Sequence, residues 1–395
     1  MSYDIVCISH LRWDFVYQRP QHLMARAARG RQVLFVEEPI VSNDTVATLT
    51  LRSTPEGVTI VVPEAPAEMP AAEASVAHAA QLRLLADSRG MHQIANWHYT
   101  PMTRGLTAEL EPIIEVYDCM DELSAFAGAP PELREREAAL MARMDVVFTG
   151  GRSLHRAKRH LHPNMHCLPS AVDHAHFAAA RGPIQEPADQ AVIARPRAGF
   201  FGVVDERMDL ELLAEVAGLR PDLQIVMIGP VTKIDPAVLP RAANLHWLGA
   251  RTYAELPAYI AGWDVALLPF ARNEATRFIS PTKTPEYLAA GRPVVSTSIH
   301  DVVHPYGVQG LARIADRPDA FALAIDHVME EDPHERQRLA DRLLATLSWD
   351  ETWAAMDSHV TAALRAKRSG GAGRAGYTPW RRRPAKMPIA ARGHS

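Results

Sequence analysis

The chain has 395 residues, a net charge of −4 and the apolar content of an ordinary globular protein, which is enough for two α/β domains. It contains no run of about 18 apolar residues, which excludes a transmembrane helix, and no basic segment that would begin a signal peptide. Three scattered cysteines are typical of small buried side chains in a reducing cytoplasm, which is the predicted location.

The first half of the chain alternates short apolar strands with helical segments. This rhythm predicts βαβ units and a doubly wound parallel sheet, whose ligands bind beyond the carboxyl ends of the strands. The predicted strands are residues 4–9, 33–36, 58–62, 93–97, 113–117 and 146–149, and the helices between them include residues 20–29, 72–88 and 131–144.

Polar side chains collect directly after two of these strands. The loop after the first strand holds His10, Arg12 and Arg19 among aromatic residues, which indicates contact with an acceptor or a phosphate; a loop packed by its own aromatics is the alternative. Asp118 and Asp121 follow the fifth strand, where close carboxylates raise each other's pKa unless they are separated, paired or metal-bound. Helix capping is the alternative for both aspartates.

The second half repeats the αβ pattern after residues 179–196, which are rich in Ala and Pro and predict an interdomain linker. A helix follows at 209–218, the pattern is helical again over 319–347, and a last helix starts near residue 348. The predicted strands are residues 199–203, 224–228, 245–248, 264–268 and a buried strand from residue 294.

Residues 280–297, SPTKTPEYLAAGRPVVST, predict a loop, a short helix, a tight turn and that buried strand. Thr284 can cap the helix, Pro285 fits its first position, and Gly291 ends it. The strand has no polar alternation, which is typical of a parallel sheet covered on both faces.

This stretch brings Ser280, Thr282 and Lys283 to a helix N-terminus that carries Glu286. Free N–H groups and the helix dipole favour an anion there, and a cation beside a carboxylate suits a ligand with phosphate and vicinal hydroxyls, such as a nucleotide sugar. The alternative is a solvated lysine and a glutamate that only favours the helix. Because the chain has 37 Arg and 5 Lys, a lysine at this position favours function.

Residues 366–395 carry eight Lys/Arg and no Asp/Glu, which predicts a disordered basic tail. Three partners of the tail stay open: an anionic membrane surface, nucleic acid bound without specificity, and the acidic body of the chain. The membrane alternative would place the protein peripherally at the inner face of the plasma membrane. We predict no specific nucleic-acid partner.

The segment EYLAAGRPVVS at 286–296 resembles the E-A-M-A-x-G-x-P-V-V-A-S signature of family-four retaining glycosyltransferases of the GT-B type. The opening SHLRWDFVYQRPQHL resembles their bacterial exopolysaccharide and teichuronic-acid branch, and the likeness covers roughly residues 1–355. It implies two Rossmann-like doubly wound domains that face a cleft, a C-terminal crossover helix, and sugar transfer from a nucleotide-diphosphate sugar to a glycan or lipid-linked acceptor without cofactor or metal.

The resemblance also implies the domain limits, because LPSAVDHAHF at 168–177 is similar to the motif that closes the first domain of this family. The predicted acceptor domain, linker, donor domain, crossover helix and tail are residues 1–178, 179–196, 197–346, 347–365 and 366–395.

The family places a donor-ribose glutamate at the position of Glu286 and two cations for the donor diphosphate in loops after early C-terminal strands. Arg207 is the better match for the arginine and Lys233 for the lysine. A lone histidine such as His98, after the fourth strand, is more often structural, but related enzymes place a histidine near the donor sugar after this strand. The resemblance therefore implies catalytic roles for His98, Arg207 and Lys283.

Two positions depart from the family, and one is a modest change: Ala171 replaces the glycine of the motif at 168–177. The usual second glutamate, eight residues before Glu286, is Phe278, and Asn273 and Glu274 could supply polar donor contacts instead. Two rival functions remain: a nucleotide-sugar epimerase, and a non-catalytic nucleotide-sugar-binding partner in a polysaccharide assembly complex. Phe278 favours the second rival, whereas the intact pair of Lys283 and Glu286 argues against it.

Overall fold

The structure is a computed structural model that describes residues 2–370. The N-terminal domain is built on one sheet in which only β4 runs antiparallel to its neighbour β5. Its order is β3-β5-β2-β1-β6-β7-β8-β9, with β4 paired to β5. The strands are β1 Asp4–Ile8, β2 Val33–Val36, β3 Ile40–Ser42, β4 Thr48–Ser53, β5 Thr59–Pro66, β6 Ile94–His98, β7 Ile114–Cys119, β8 Val146–Thr149 and β9 Met165–Cys167.

The C-terminal domain is a parallel sheet of six strands in the order β12-β11-β10-β13-β14-β15. The strand order reverses between β10 and β13, which is where open α/β sheets leave a crevice for a ligand. Its strands are β10 Arg197–Phe201, β11 Gln224–Ile228, β12 Leu245–Gly249, β13 Val265–Leu268, β14 Val294–Ser296 and β15 Ala312–Ile314.

Helices cover both faces of the two sheets. Those before β10 are α1 Arg19–Ala27, α2 Ala71–Ser88, α3 Leu133–Met141, α4 Arg152–Lys158, α5 His174–Ala178 and α6 Ala188–Ala191. Those after it are α7 Leu210–Leu219, α8 Leu256–Ala261, α9 Lys283–Ala289, α10 His300–Val302, α11 Pro318–Glu330, α12 Pro333–Leu344 and α13 Trp349–Gly370.

The last helix, α13, returns to the N-terminal domain. Trp349, Met356, Val360 and Leu364 are buried in the same cluster as the apolar residues of β1 and β2. This contact confirms the predicted crossover helix and ties the end of the described chain to its beginning.

Several predicted elements need correction. The edge strands β3 and β4 and the short β9 and β15 were not predicted, because three-residue and exposed strands leave little hydrophobic pattern. The predicted helix at 319–347 is two helices, since Pro333 begins the second. The predicted linker contains α6, and its Gln190 is buried and accepts a hydrogen bond from the indole of Trp263 at 2.9 Å.

Helix α13 continues to Gly370, so the predicted tail at 366–395 begins too early. Lys367 pairs with Asp145 of the N-terminal domain at 2.8 Å, and Arg368 donates to Gln93 at 3.1 Å. The rest of the predicted tail, and with it most of the predicted membrane contact, lies outside the described residues and stays a prediction. Among residues 2–370, no helix combines the length and apolar character that crossing a bilayer requires.

Candidate active site

A cavity of about 800 Å³, here called the first cavity, opens between the two domains. The N-terminal domain contributes residues 13–18, from the loop after β1, and the turn at 54–56. The C-terminal domain contributes residues 201–203 and 228–230, at the carboxyl ends of β10 and β11, together with the start of α9. The cavity therefore lies at the strand ends where the sequence predicted a ligand.

Helix α9 brings Thr282, Lys283 and Glu286 to the cavity wall. The helix begins at Lys283, so the predicted cap Thr284 is wrong: the Glu286 N–H bonds to the Thr282 carbonyl at 3.3 Å, and Thr284 lies inside the first turn. The hydroxyl of Tyr287 accepts a hydrogen bond from the Phe201 N–H at 3.0 Å, which fixes the helix to the end of β10.

Glu286 is only 4% exposed, and its Oε2 has no hydrogen-bond partner among the described residues. Burial raises the pKa of this carboxyl, and the nearby Lys283 opposes the rise. Burial in turn lowers the pKa of the Lys283 amine, while Glu286 opposes that shift. An unpaired buried carboxylate oxygen costs free energy unless a ligand donates to it, so this atom indicates a missing hydroxyl or amine donor.

Two glycines that the sequence analysis did not assign to the site make room for this arrangement. Gly202 directly follows β10 with φ of 136°, and a Cβ on it would stand 2.7 Å from the Nζ of Lys283. Gly229 follows β11 with φ of 144°, and a Cβ there would meet the carbonyl of Gly202. A glycine directly after a buried parallel strand is the signal that could have identified both.

Arg207 also lines the first cavity and forms a bidentate ion pair with Asp205, at 2.9 Å for Nε–Oδ1 and 2.6 Å for Nη2–Oδ2. The exposed Lys233 lies outside the wall with a left-handed backbone, φ of 61°. The guanidinium carbon of Arg207 and the Nζ of Lys233 lie 5.4 Å and 5.1 Å from the centre of one ring, that of Phe126 from the N-terminal domain. The two predicted diphosphate cations therefore share one partner across the cleft.

An aromatic contact joins the two walls. Tyr253 of the C-terminal domain stacks on His176 with ring centres 4.2 Å apart, and its ring centre lies 4.8 Å from that of Tyr17 in the loop after β1. The aromatic character of that loop was recognised from the sequence, but Tyr253 was missed because it follows β12 in a polar loop without a motif. Trp13 packs on Phe35, so the loop is also packed by its aromatics.

Three of the predicted residues do not line the first cavity. His98 is fully buried, bonds Glu115 through Nε2 at 2.9 Å and is absent from the wall of the first cavity, so this geometry does not support the predicted donor contact. Arg19 and Asp118 are both unexposed and form a buried ion pair with an Nε–Oδ2 distance of 2.9 Å. A buried pair of this kind cannot release one partner without leaving an uncompensated charge, so this geometry does not support the acceptor or phosphate contact predicted for Arg19 and Asp118.

The remaining predicted residues of this loop are close to the cleft but not on the cavity wall. Arg12 pairs with Glu37 at 2.8 Å. His10 is partly buried, and its pKa is lowered to about 4, mainly by burial; a backbone hydrogen bond with Tyr99 opposes the shift, and Lys233 from the other domain adds to it. His10 is therefore neutral at pH 7 and within electrostatic reach of a cation across the cleft.

The carboxylates after β7 are separated rather than clustered. Glu122 pairs with Lys158 at 2.8 Å, and Asp118 faces Arg19. Burial raises the pKa of Asp121, and Arg207 is the strongest opposing influence, so this carboxylate faces the cations of the cleft. Within residues 2–370, His, Cys, Asp and Glu form no group of three that could hold a metal ion.

Residues 269–282, which connect β13 to α9 and are here called the donor loop, do not place all the predicted residues in the first cavity. Ser280 lies against Gly151 of the N-terminal domain, where an added Cβ would stand 2.8 Å from the serine Cβ. Asn273 exchanges hydrogen bonds with Thr276 and donates to the carbonyl of Glu206. Asn273 and the exposed Glu274 line a different cavity, so the donor contacts predicted for them lack support from this geometry.

Comparison with known proteins agrees with this architecture. Residues 195–331 match the family model described as Glycosyl transferases group 1. The chain is 25% identical over 258 residues to TuaH of Bacillus subtilis (strain 168), whose name describes a teichuronic acid biosynthesis glycosyltransferase. The match covers 60% of this chain and spans 64% of that relative's length.

Two solved structures share the fold at low sequence identity. Sucrose-phosphate synthase from Thermosynechococcus elongatus superposes with a TM-score of 0.67 at 15% identity, over 92% of this chain and 100% of that one. An E. coli trehalose-6-phosphate protein bound with UDP-2-fluoro glucose superposes with a TM-score of 0.65 at 11% identity, over 90% of this chain and 98% of that one. Residues 195–331 thus resemble a glycosyl transferases group 1 domain, and the described chain has the GT-B fold.

Proposed function

We propose that this protein is a glycosyltransferase that moves a sugar from a nucleotide-diphosphate sugar to a glycan or lipid-linked acceptor of the bacterial cell envelope, with retention of configuration. The observation that carries the proposal is the buried, unpartnered Oε2 of Glu286 beside the amine of Lys283 on one wall of the first cavity. A ribose with vicinal hydroxyls supplies donors to such a carboxylate, and a diphosphate supplies an anion to such an amine.

The leaving group of the proposed reaction is a nucleoside diphosphate, whose negative charge grows as the glycosidic bond breaks. The charge of Lys283 acts on Glu286, and Arg207 lies on the same wall with its guanidinium held by Asp205. Cations already fixed in a partly closed site stabilise developing charge without reorganisation. No side chain on the wall is assigned as a nucleophile, so the leaving phosphate would assist the incoming hydroxyl.

The size of the first cavity and the comparisons with other proteins support the same class of ligand. A volume of about 800 Å³ lies within the range of small-molecule sites. A structure with the same fold is bound with UDP-2-fluoro glucose. The named function of the Bacillus subtilis relative supports an acceptor that belongs to a cell-wall polymer.

The proposal is tested in two steps with the full-length protein. A thermal-shift screen across nucleoside diphosphate sugars identifies the donor, because a ligand that binds only the folded state raises the Tm. Consumption of that donor is then measured with and without an added membrane-lipid extract as the source of acceptor.

The expected result is donor consumption that requires the extract and yields a glycosylated product. Turnover without any acceptor would instead identify the epimerase, and binding without turnover in either reaction would identify the non-catalytic partner. Absence of a Tm shift with every nucleotide sugar would contradict the proposal.

A further inference from the structure

A second cavity of about 720 Å³ lies between the domains on the other face of the donor loop. Helix α4 of the N-terminal domain forms one wall, and residues 272–274 and 276–278 with residues 298–300 form the other. Phe278 lines this cavity, whereas Thr282 and Lys283, only four and five residues further along, line the first cavity. The two cavities therefore adjoin through one short segment of chain.

The second cavity is held in shape by contacts across the cleft. Asp301 is buried and accepts hydrogen bonds from the N–H groups of Arg152 and Ser153 at 2.8 Å and 3.0 Å, so the C-terminal domain caps helix α4. Phe278 packs against the buried cluster of the N-terminal domain that includes Leu154 of α4. Because both contacts join the C-terminal domain to α4 or to the cluster that contains Leu154, the two walls of the second cavity are fixed relative to each other.

Three arginines surround this cavity with incomplete compensation. Arg272 pairs with Asp316 at 3.1 Å, and Arg277 lies 3.5 Å from Glu274. Arg156 has no carboxylate partner among residues 2–370; its guanidinium donates to Nε2 of His300 at 3.2 Å. The cavity thus presents a guanidinium whose charge no described acid neutralises.

A buried polar atom also lacks a partner there. Ser153 lines the cavity, is only 8% exposed, and its Oγ has no hydrogen-bond partner among the described residues. A hydroxyl that is buried without a partner is unfavourable unless a ligand or water satisfies it. A serine hydroxyl and an arginine fork together suit a phosphate or carboxylate group, which accepts from both.

We propose that the second cavity binds an anionic group of the acceptor, a phosphate monoester or a sugar carboxylate, through Arg156 and Ser153. The proposal rests on the proposed function, since it assigns the acceptor of the same reaction to the cavity that adjoins the donor cavity. Acceptor and donor would then meet from opposite faces of the donor loop. Arg272 and Arg277 add positive potential at the rim, which attracts an anion and is screened by salt.

The test uses three probes with the same alkyl chain: octyl phosphate, octyl glucuronide and the neutral octyl glucoside, each below its micelle concentration. Binding to the full-length protein is measured by calorimetric titration, with and without a saturating nucleoside diphosphate that blocks anion binding in the first cavity. The variants are Arg156→Ala, Arg156→Lys and Ser153→Ala. The matched control is Arg159→Ala, an exposed arginine of the same chain segment that does not line the cavity.

We expect at least one anionic probe to bind more tightly than octyl glucoside, and its identity distinguishes a phosphate from a carboxylate source. Arg156→Ala should weaken that binding about ten- to a hundredfold, with a smaller loss for Arg156→Lys, and Arg159→Ala should match the wild type. Binding of the nucleoside diphosphate itself should not change in Arg156→Ala, which separates this proposal from the proposed function. Equal affinity for all three probes, or equal losses in Arg156→Ala and Arg159→Ala, would overturn it.

Discussion

The Nζ of Lys283 lies 2.7 Å from the position that a Cβ atom would occupy on Gly202, so the lysine fills the space next to this glycine at the end of β10. The same glycine has φ of 136°, a conformation that side chains with a Cβ rarely adopt. The placement of the proposed diphosphate cation therefore depends on a residue 81 positions earlier in the sequence having no side chain.

Gly202→Ala should displace the lysine amine and weaken binding of a nucleoside diphosphate about ten- to a hundredfold, as expected for loss of one charged contact. Titration of nucleoside diphosphate and free nucleoside into the variant measures the effect, and the nucleoside should lose less. Gly218→Ala is the control, because a Cβ at Gly218 in α7 meets nothing within 4 Å. Wild-type binding by Gly202→Ala would show that the lysine position is not important.

Lys283→Ala should lower turnover about 10²–10³-fold, since it removes a fixed charge from the departing diphosphate. Binding of the free nucleoside should change far less, because that ligand has no phosphates. Steady-state kinetics and nucleoside titration give the two quantities, with Lys367→Ala, an exposed lysine paired to Asp145, as the control. Equal losses in turnover and nucleoside affinity would contradict a role at the phosphates.

Phe278→Ala should destabilise the contact between the domains, because Phe278 packs on a cluster of the N-terminal domain from a loop of the other domain. As the side chain is only partly buried, the loss in the free energy of unfolding should be below the about 3–5 kcal/mol of a fully buried phenylalanine. Urea unfolding measures the loss, and Phe15→Ala, at an exposed phenylalanine, serves as control. If Phe278→Ala is no less stable than Phe15→Ala, the packing role is wrong.

The pKa of His10, lowered to about 4 by burial, predicts a pH dependence of stability. The unfolded chain takes up this proton near pH 6.5 but the folded chain only near pH 4, so the unfolded state binds more protons between these values. Stability should therefore fall as the pH falls from about 6.5 to 4, by up to about 1.4 kcal/mol per pH unit from this group. His10→Gln should reduce the slope of unfolding free energy against pH, and an unchanged slope would exclude His10 as its source.

Local signals in the sequence identified α9 well, whereas long-range partners stayed hidden. The residues TPEYLAAGRP locate α9 and Glu286 within a few positions, because the helix stop and the buried strand after it are encoded in adjacent residues. Arg19 and Asp118 are 99 positions apart, and nothing in either segment reveals that they pair in the core. His98 was predicted to follow a strand and is instead the last residue of β6, and its bond to Glu115 depends on the register of β6 and β7.

Residues of the candidate site were located from the sequence when they follow a strand or begin a helix, and were missed when their contacts come from the other domain. Lys283, Glu286 and Arg207 belong to the first kind. Phe126 and Tyr253 belong to the second, because their contacts form only when the two domains face each other. Sequence patterns describe one segment at a time and so do not encode such contacts.

The central claim is tested most directly by calorimetric titration of the nucleotide sugar into the wild type and three variants. The variants are Glu286→Ala, Glu286→Gln and the control Glu215→Ala, at an exposed position of α7. If the carboxylate of Glu286 accepts hydrogen bonds from two ribose hydroxyls, Glu286→Ala should weaken binding about ten- to a hundredfold for each hydrogen bond lost. Glu286→Gln should lose less because it keeps an acceptor oxygen, and Glu215→Ala should bind as the wild type does. Wild-type affinity in Glu286→Ala would contradict the assignment of the first cavity to a nucleotide sugar.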